Sequence, residues 1–180
     1  MADFFDHLTD KHMAFIKAQP MFFTATAPPD GRINLSPKGL DTFRVLNPNL
    51  VGYLDLTGSG NETAAHLKAD GRITIMFNSF TRNPLILRLY GRGWTLRPGQ
   101  AEHDRFHDQF PDMPGARQLV LMDVESVQTS CGYGVPEMAD MQARDTLARF
   151  AEKKGADGIE TYQQKKNRLS IDGLDTGLND

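Results

Sequence analysis

Two long apolar runs, Arg72 to Phe80 (RITIMFNSF) and Leu85 to Leu96 (LILRLYGRGWTL), separated only by the polar stretch Thr81 to Pro84, constrain this chain more than any other feature. Both are rich in β-branched and aromatic residues, and a turn this short joins antiparallel neighbours. A third long strand is expected at Gln118 to Thr129 (QLVLMDVESVQT) and a shorter one at Val51 to Thr57 (VGYLDLT). Met21 to Ala27, the turn residues Pro28-Pro29-Asp30-Gly31 and the alternating Arg32 to Ser36 read as a hairpin. Helices are expected around Phe4 to Ile16, stopped by Pro20, and over Glu62 to about Lys68, Gln100 to Phe110 and Met138 to Lys154. In the last of these, Met138, Met141, Leu147 and Phe150 form the apolar positions. Mostly consecutive strands with helices at the ends and in one crossover predict an α+β, mainly β barrel rather than a parallel doubly wound sheet.

The length of 180 residues, without a Pro/Ser/Gly linker, fits one domain over 1–180, with 137–180 as a helical C-terminal extension packed on it. A net charge of −3 provides no positive field to gather nucleic acid or anionic lipid, so neither is an expected partner. The single cysteine, Cys131, excludes an intrachain disulfide. No window approaches the roughly 18 apolar residues of a membrane span, and no leader is evident in MADFFDHLTDKHMAF. A reducing, cytoplasmic setting is the expectation.

The chemistry concentrates at Gly58-Ser59-Gly60-Asn61-Glu62-Thr63, where a strand passes through glycines into a helix. A dinucleotide fingerprint is not supported: βαβ alternation is missing, and Asn78 stands about 20 residues on, where an acidic ribose ligand belongs. Two readings stay open. Unpaired N–H groups at the helix start favour an anion, with Asn61 and Thr63 adding donors. Alternatively Ser59 and Glu62 form a capping box, or Asn61 caps the helix and touches no ligand. Ser36-Pro37-Lys38-Gly39, leaving the hairpin, offers a hydroxyl, a cation and a flexible glycine, a set able to grip phosphate.

Other reactive side chains read more plainly. His103 and His107 have helical spacing but lack a third metal ligand, and His66 on the short helix reads as structural, so no metal site is expected. Cys131 lies in Ser-Cys-Gly-Tyr-Gly-Val-Pro, a loop of fixed shape. Tyr90 and Trp94 alternate with Arg88 and Arg92 along a strand, as packing and interface residues do.

Taken together, INLSPKG (33–39), VGYLDLTGSGNETAAHL (51–67), GRITIMFNSF (71–80) and PLILRLYGRGW (84–94) resemble the pyridoxamine 5′-phosphate oxidase-like family of FMN-binding split barrels in words, order and spacing. SCGYGVP (130–136) and KNRLSIDGL (166–174) are similar to a functionally unassigned subgroup of it. The resemblance implies a six-stranded antiparallel split barrel that dimerises, with FMN in a cleft where two subunits meet. By position it assigns Asn34, Leu35, Ser36 and Lys38 to the flavin ring and ribityl chain, and Thr57, Asn61 and Thr63 to the phosphate. It makes Arg88 a candidate for phosphate or ring contact and brings Cys131 toward the flavin. Two departures stand out. Where the authentic oxidases carry Ser-Arg-Lys at the phosphate turn, this chain has Asn61, Glu62 and Thr63, and their Trp- and Arg-rich ending is not recognisable.

Vitamin B6 oxidation is therefore not the expected activity. An FMN-dependent oxidoreductase is, passing electrons from a reduced nicotinamide or small substrate through the flavin. Because a flavin carries its own chemistry, the lack of an acid–base pair or triad fits this expectation. The same fold also serves flavin binders without turnover and barrels that hold haem or a deazaflavin coenzyme.

Overall fold

In the computed structural model, which describes residues 2–180, the chain runs β1 (Asp3–Phe5), α1 (Asp10–Lys17), β2 (Met21–Thr26), β3 (Asn34–Gly39), β4 (Phe43–Asn47), β5 (Leu50–Leu56), α2 (Glu62–Ala69), β6 (Arg72–Asn78), β7 (Ile86–Leu96), α3 (Ala101–His107), β8 (Ala116–Ser130) and α4 (Thr146–Lys166). The strands form one sheet of eight in the order β3-β2-β6-β7-β8-β5-β4, with β1 joined to β8. Every pairing is antiparallel.

Strand β8 divides the sheet. Its first half pairs with β5 from Leu50↔Asp123 to Leu56↔Ala116, and its second half pairs with β1 at Val127 to Thr129. Along its other edge runs β7, in a ladder broken only between Tyr90 and Gly91. A Cβ on Gly91 would lie 1.9 Å from the Asp123 carbonyl oxygen, so only glycine lets the two backbones close at this bulge.

The sheet curls because one face must be buried. On β2 and β6, buried Phe22, Thr24, Ile73, Ile75 and Phe77 alternate with half-buried Met21, Phe23, Thr74 and Met76. The inward set joins Tyr53, Leu87, Leu89, Met122 and Val127 in the main core. At about 1.5–3 kcal/mol for each large apolar side chain removed from water, this cluster is the principal source of stability. Leu54, Leu96, Phe110, Leu119 and Leu121 form a second cluster.

The α+β, mainly β class and the antiparallel neighbours follow the sequence reading, while details differ. The sheet has eight strands rather than six, because β1 is too short to show a period and β4 pairs β5 across a register shift between Val45 and Asn47. Phe4 and Phe5 belong to β1, not to a helix. Helix α1 starts later, where the Thr9 hydroxyl accepts the His12 N–H and the His12 ring accepts the Thr9 N–H. Met138 and Met141 are exposed and lie outside α4, which buries Ala151 and Ile159 instead and breaks at Gly155 (φ 67°). Among the described residues no helix is long and apolar enough to cross a membrane.

Candidate functional site

The hairpin β2–β3, the end of β5 and the start of α2 meet at a cleft of about 300 Å³. Alternation on β3 decides which side chains reach it: Asn34, Ser36 and Lys38 point to the concave face, Leu35 and Pro37 to the other. Asn34 Nδ2 donates to Thr63 Oγ1 (3.3 Å) and Ser36 Oγ donates to Asn34 Oδ1 (3.2 Å), which links strand and helix across the opening.

Beneath the glycine turn lies a charged cluster. Asp55 is 2% exposed, and its carboxylate accepts from Lys38 Nζ (2.9 Å), Arg117 Nη2 (2.7 Å) and Nε (3.1 Å), and Gln118 Nε2 (2.9 Å). Arg117 Nη1 also donates to the Gly60 carbonyl (3.0 Å), which fixes the turn from below. Burial alone would raise the Asp55 pKa, but the Arg117 and Lys38 cations outweigh it and hold the carboxyl well below the usual range. Burial likewise works against the Lys38 ammonium, and Asp55 more than offsets it, so Lys38 lies above its ordinary value. Two cations share this one anion, and the Glu62 carboxylate lines the same cleft.

Asn61 caps nothing. It is 2% exposed, its side chain makes no capping bond, and Oδ1 accepts from Gln118 Nε2 (2.9 Å) while Nδ2 donates to the Asn167 carbonyl (3.5 Å). Ser59 and Glu62 form no capping box either, since the Glu62 carboxylate accepts the Ile171 N–H at 3.0 and 3.1 Å. No side-chain capping bond is made at the N terminus of α2, whose first residues, Glu62 and Thr63, line the cleft where the helix end carries partial positive charge.

The segment after α4 completes the surround. Asn167 Nδ2 donates to the Gly58 carbonyl (3.1 Å), Gln163 Nε2 to Thr57 Oγ1 (2.7 Å), and Arg32 pairs with Asp172. Between this segment and α2 a second hollow of about 490 Å³ adjoins the first, sharing Asn34, Ser59, Gly60 and Glu62 as walls. His66 lies on it, 1% exposed, with Nδ1 3.0 Å from Thr26 Oγ1 and Nε2 without a partner among the described residues.

Of the nine residues expected at the site, Asn34, Ser36, Lys38, Asn61 and Thr63 line the cleft, and Thr57 lies behind it as an acceptor for Gln163. The other three lie elsewhere. Leu35 is 64% exposed on the opposite face; Arg88 shares that face and donates to Ser130 Oγ (3.2 Å); Cys131 is exposed beyond the end of β8. Gly132 beside it sits at φ 70° against Leu85, which gives that loop its shape. Sequence reasoning missed Asp55, Arg117, Gln118 and Asn167. An aspartate inside the apolar run VGYLDLT was the one available signal, since a carboxylate in a buried strand requires a partner.

Comparison with known proteins gives a consistent outcome. Residues 8–131 match the family model described as pyridoxamine 5′-phosphate oxidase. The pyridoxamine 5′-phosphate oxidase family protein ustO of Aspergillus flavus is 37% identical over 193 residues, which cover 97% of this chain and 77% of that protein. Among solved structures, Group A Streptococcus HupZ superposes with a TM-score of 0.52 at 20% identity, over 67% of this chain and 91% of its own. An FAD-binding protein of Mesorhizobium loti gives 0.51 at 12% identity, over 72% and 96%. These two likenesses are of fold.

Proposed function

We propose, from the premise that the chain belongs to the pyridoxamine 5′-phosphate oxidase family, that it binds FMN with the phosphate in the glycine-turn cleft and acts as an FMN-dependent oxidoreductase. The observation that carries this reading is a helix N terminus without a side-chain cap beside a buried arginine and a half-buried lysine that share one carboxylate. Such a cleft suits a phosphate group, and Arg117 supplies the positive charge that Asn61, Glu62 and Thr63 do not. FAD binding by the Mesorhizobium loti protein of the same fold is in keeping with a flavin here.

In this reading Lys38, with Asn34, Ser36 and Thr63, holds the phosphate end. Asp55 and Arg117 keep the Lys38 ammonium in place, and Asn61 braces the turn through Gln118 and Asn167. A bound flavin supplies hydride acceptance and onward electron transfer, so the protein's part is binding, orientation and exclusion of water. The electron donor would be a reduced nicotinamide or another small molecule.

A homodimer belongs to the same reading. The convex face carries exposed Phe4 and Leu35 beside half-buried Phe23, Met76 and Ile86, an apolar surface a second subunit would cover. Arg88 and Leu35 lie on it and would reach a site shared between subunits. The exposed thiol of Cys131 suits a reducing, cytoplasmic compartment.

Titration with FMN and riboflavin tests the site. About one FMN per chain should bind, at least tenfold more tightly than riboflavin, with twin visible flavin bands. Lys38→Ala should weaken FMN binding in a salt-sensitive way. Equal affinity for the two flavins would refute the phosphate assignment. Bleaching of the bound flavin by NADH or NADPH without oxygen would support turnover, and a flavin that no reductant bleaches would refute it.

A further inference from the structure

Arg97, at the end of β7, is 8% exposed. Its Nη2 donates to the Thr176 carbonyl (2.8 Å), whereas Nε and Nη1 are buried with no partner among the described residues. A guanidinium withdrawn from water without an anion is expensive, by several kcal/mol in general. Burial accordingly pushes the Arg97 pKa down, and Asp180 and Asp175 counter it only from a distance. Those two carboxylates pair instead with Lys68 Nζ, at 2.6 and 2.7 Å.

Arg97, Lys68 and Asp180 line one cavity of about 200 Å³, with Leu67 and Trp94 as an apolar wall and Gln100 nearby. None of the residues lining it borders the glycine-turn cleft or the hollow next to it. The cavity therefore joins a buried cation with two unpartnered nitrogens among the described residues, a second cation paired with Asp180 at its rim, and space for a few heavy atoms.

We propose that this cavity is a binding site for a small oxyanion, a phosphate or carboxylate group, that accepts from the free nitrogens of Arg97 and from Lys68. The anion supplies acceptors for the two Arg97 nitrogens that no described residue satisfies. The carboxylates of Asp175 and Asp180 hold the Lys68 ammonium at the rim until the anion arrives.

Trp94 is the single tryptophan of the chain, so its indole N–H gives one resolved NMR resonance at the cavity wall. The full-length protein is titrated with inorganic phosphate and, separately, with acetate, at ionic strength held constant with chloride. A saturable shift with either anion supports the site; phosphate alone or acetate alone identifies which group it takes. Arg97→Lys should weaken binding at least tenfold, and Lys68→Gln several-fold. Lys38→Ala, in the other cleft, should leave the curve unchanged. Lys68 is partly exposed, so its variant keeps the test valid if Arg97→Lys does not fold. The proposal is overturned if neither anion gives a saturable shift, if the Lys68→Gln curve matches that of the wild type, or if Lys38→Ala abolishes the response.

Discussion

Arg117 and Arg97 are both withdrawn from water, at 6% and 8% exposure, yet their surroundings are opposites. Arg117 spends its nitrogens on the Asp55 carboxylate and the Gly60 carbonyl, and the strand, the turn and Lys38 are built around that pair. Arg97 has one carbonyl and two nitrogens without a partner among the described residues, and it borders a cavity. Burial alone therefore says little about an arginine's task. A guanidinium saturated from within acts as scaffold, and one left unsaturated has capacity for something from outside.

Asp55→Asn is the severest test of the scaffold half, since it leaves the buried Arg117 and the half-buried Lys38 without their shared carboxylate. A loss of about 3–5 kcal/mol in urea unfolding is expected. Arg117→Met removes one of two cations and leaves Asp55 with Lys38 and Gln118, so its cost should be smaller, about 2–3 kcal/mol. Arg97→Met should break the symmetry between the two arginines. In buffer without phosphate or carboxylates it removes an unpaired buried charge and should be neutral or stabilising by about 1 kcal/mol. If it costs as much as Arg117→Met, the two sites do not differ in kind.

Acid titration sharpens the same contrast. The folded-state pKa of Asp55 lies below its ordinary 3.8, so its stabilisation is fully present above that pH and fades as pH falls toward the lower folded value. The stability gap between wild type and Asp55→Asn should therefore be constant above about pH 5 and narrow below pH 4, as followed by urea midpoints. Arg97→Met should show no such narrowing relative to wild type. The smallest effect is expected for Glu62→Gln, which weakens the acceptor for the Ile171 N–H and should cost about 0.5 kcal/mol in hydrogen-exchange protection of residues 167–176.

The long strands were legible because their signal is local. Alternation from Arg72 to Phe77 and from Met122 to Glu125 reports burial residue by residue, Gln118 to Met122 is a run buried throughout, and the turn at 81–84 fixes how the neighbours pair. The partners of the arginines were not, because Arg117 meets Asp55 across 62 positions and Asn61 meets Asn167 across 106. Asn61 looks like a helix cap by its place in the chain, and only the arrival of Gln118 and Asn167 turns its side chain inward. The helix expected at 138–154 failed for a related reason. Met138 and Met141 have helical spacing but no surface to pack against, whereas Ala151 and Ile159, spaced less conspicuously, do. Gly155 lies just beyond that window, and its break at φ 67° is the kind of interruption a glycine inside a helix permits.

The fastening of the final segment also bears on the order in which a growing chain can mature. Arg32 waits for Asp172, 140 positions later, and Gly58 waits for Asn167, 109 positions later. During synthesis the strands through β8 can pair first, because domains assemble from the N terminus as the chain emerges and near contacts close before distant ones. The glycine turn would then stand half-braced until residues 163–176 leave the ribosome, so a nascent chain stalled before that point would carry a formed sheet and an unfinished cleft.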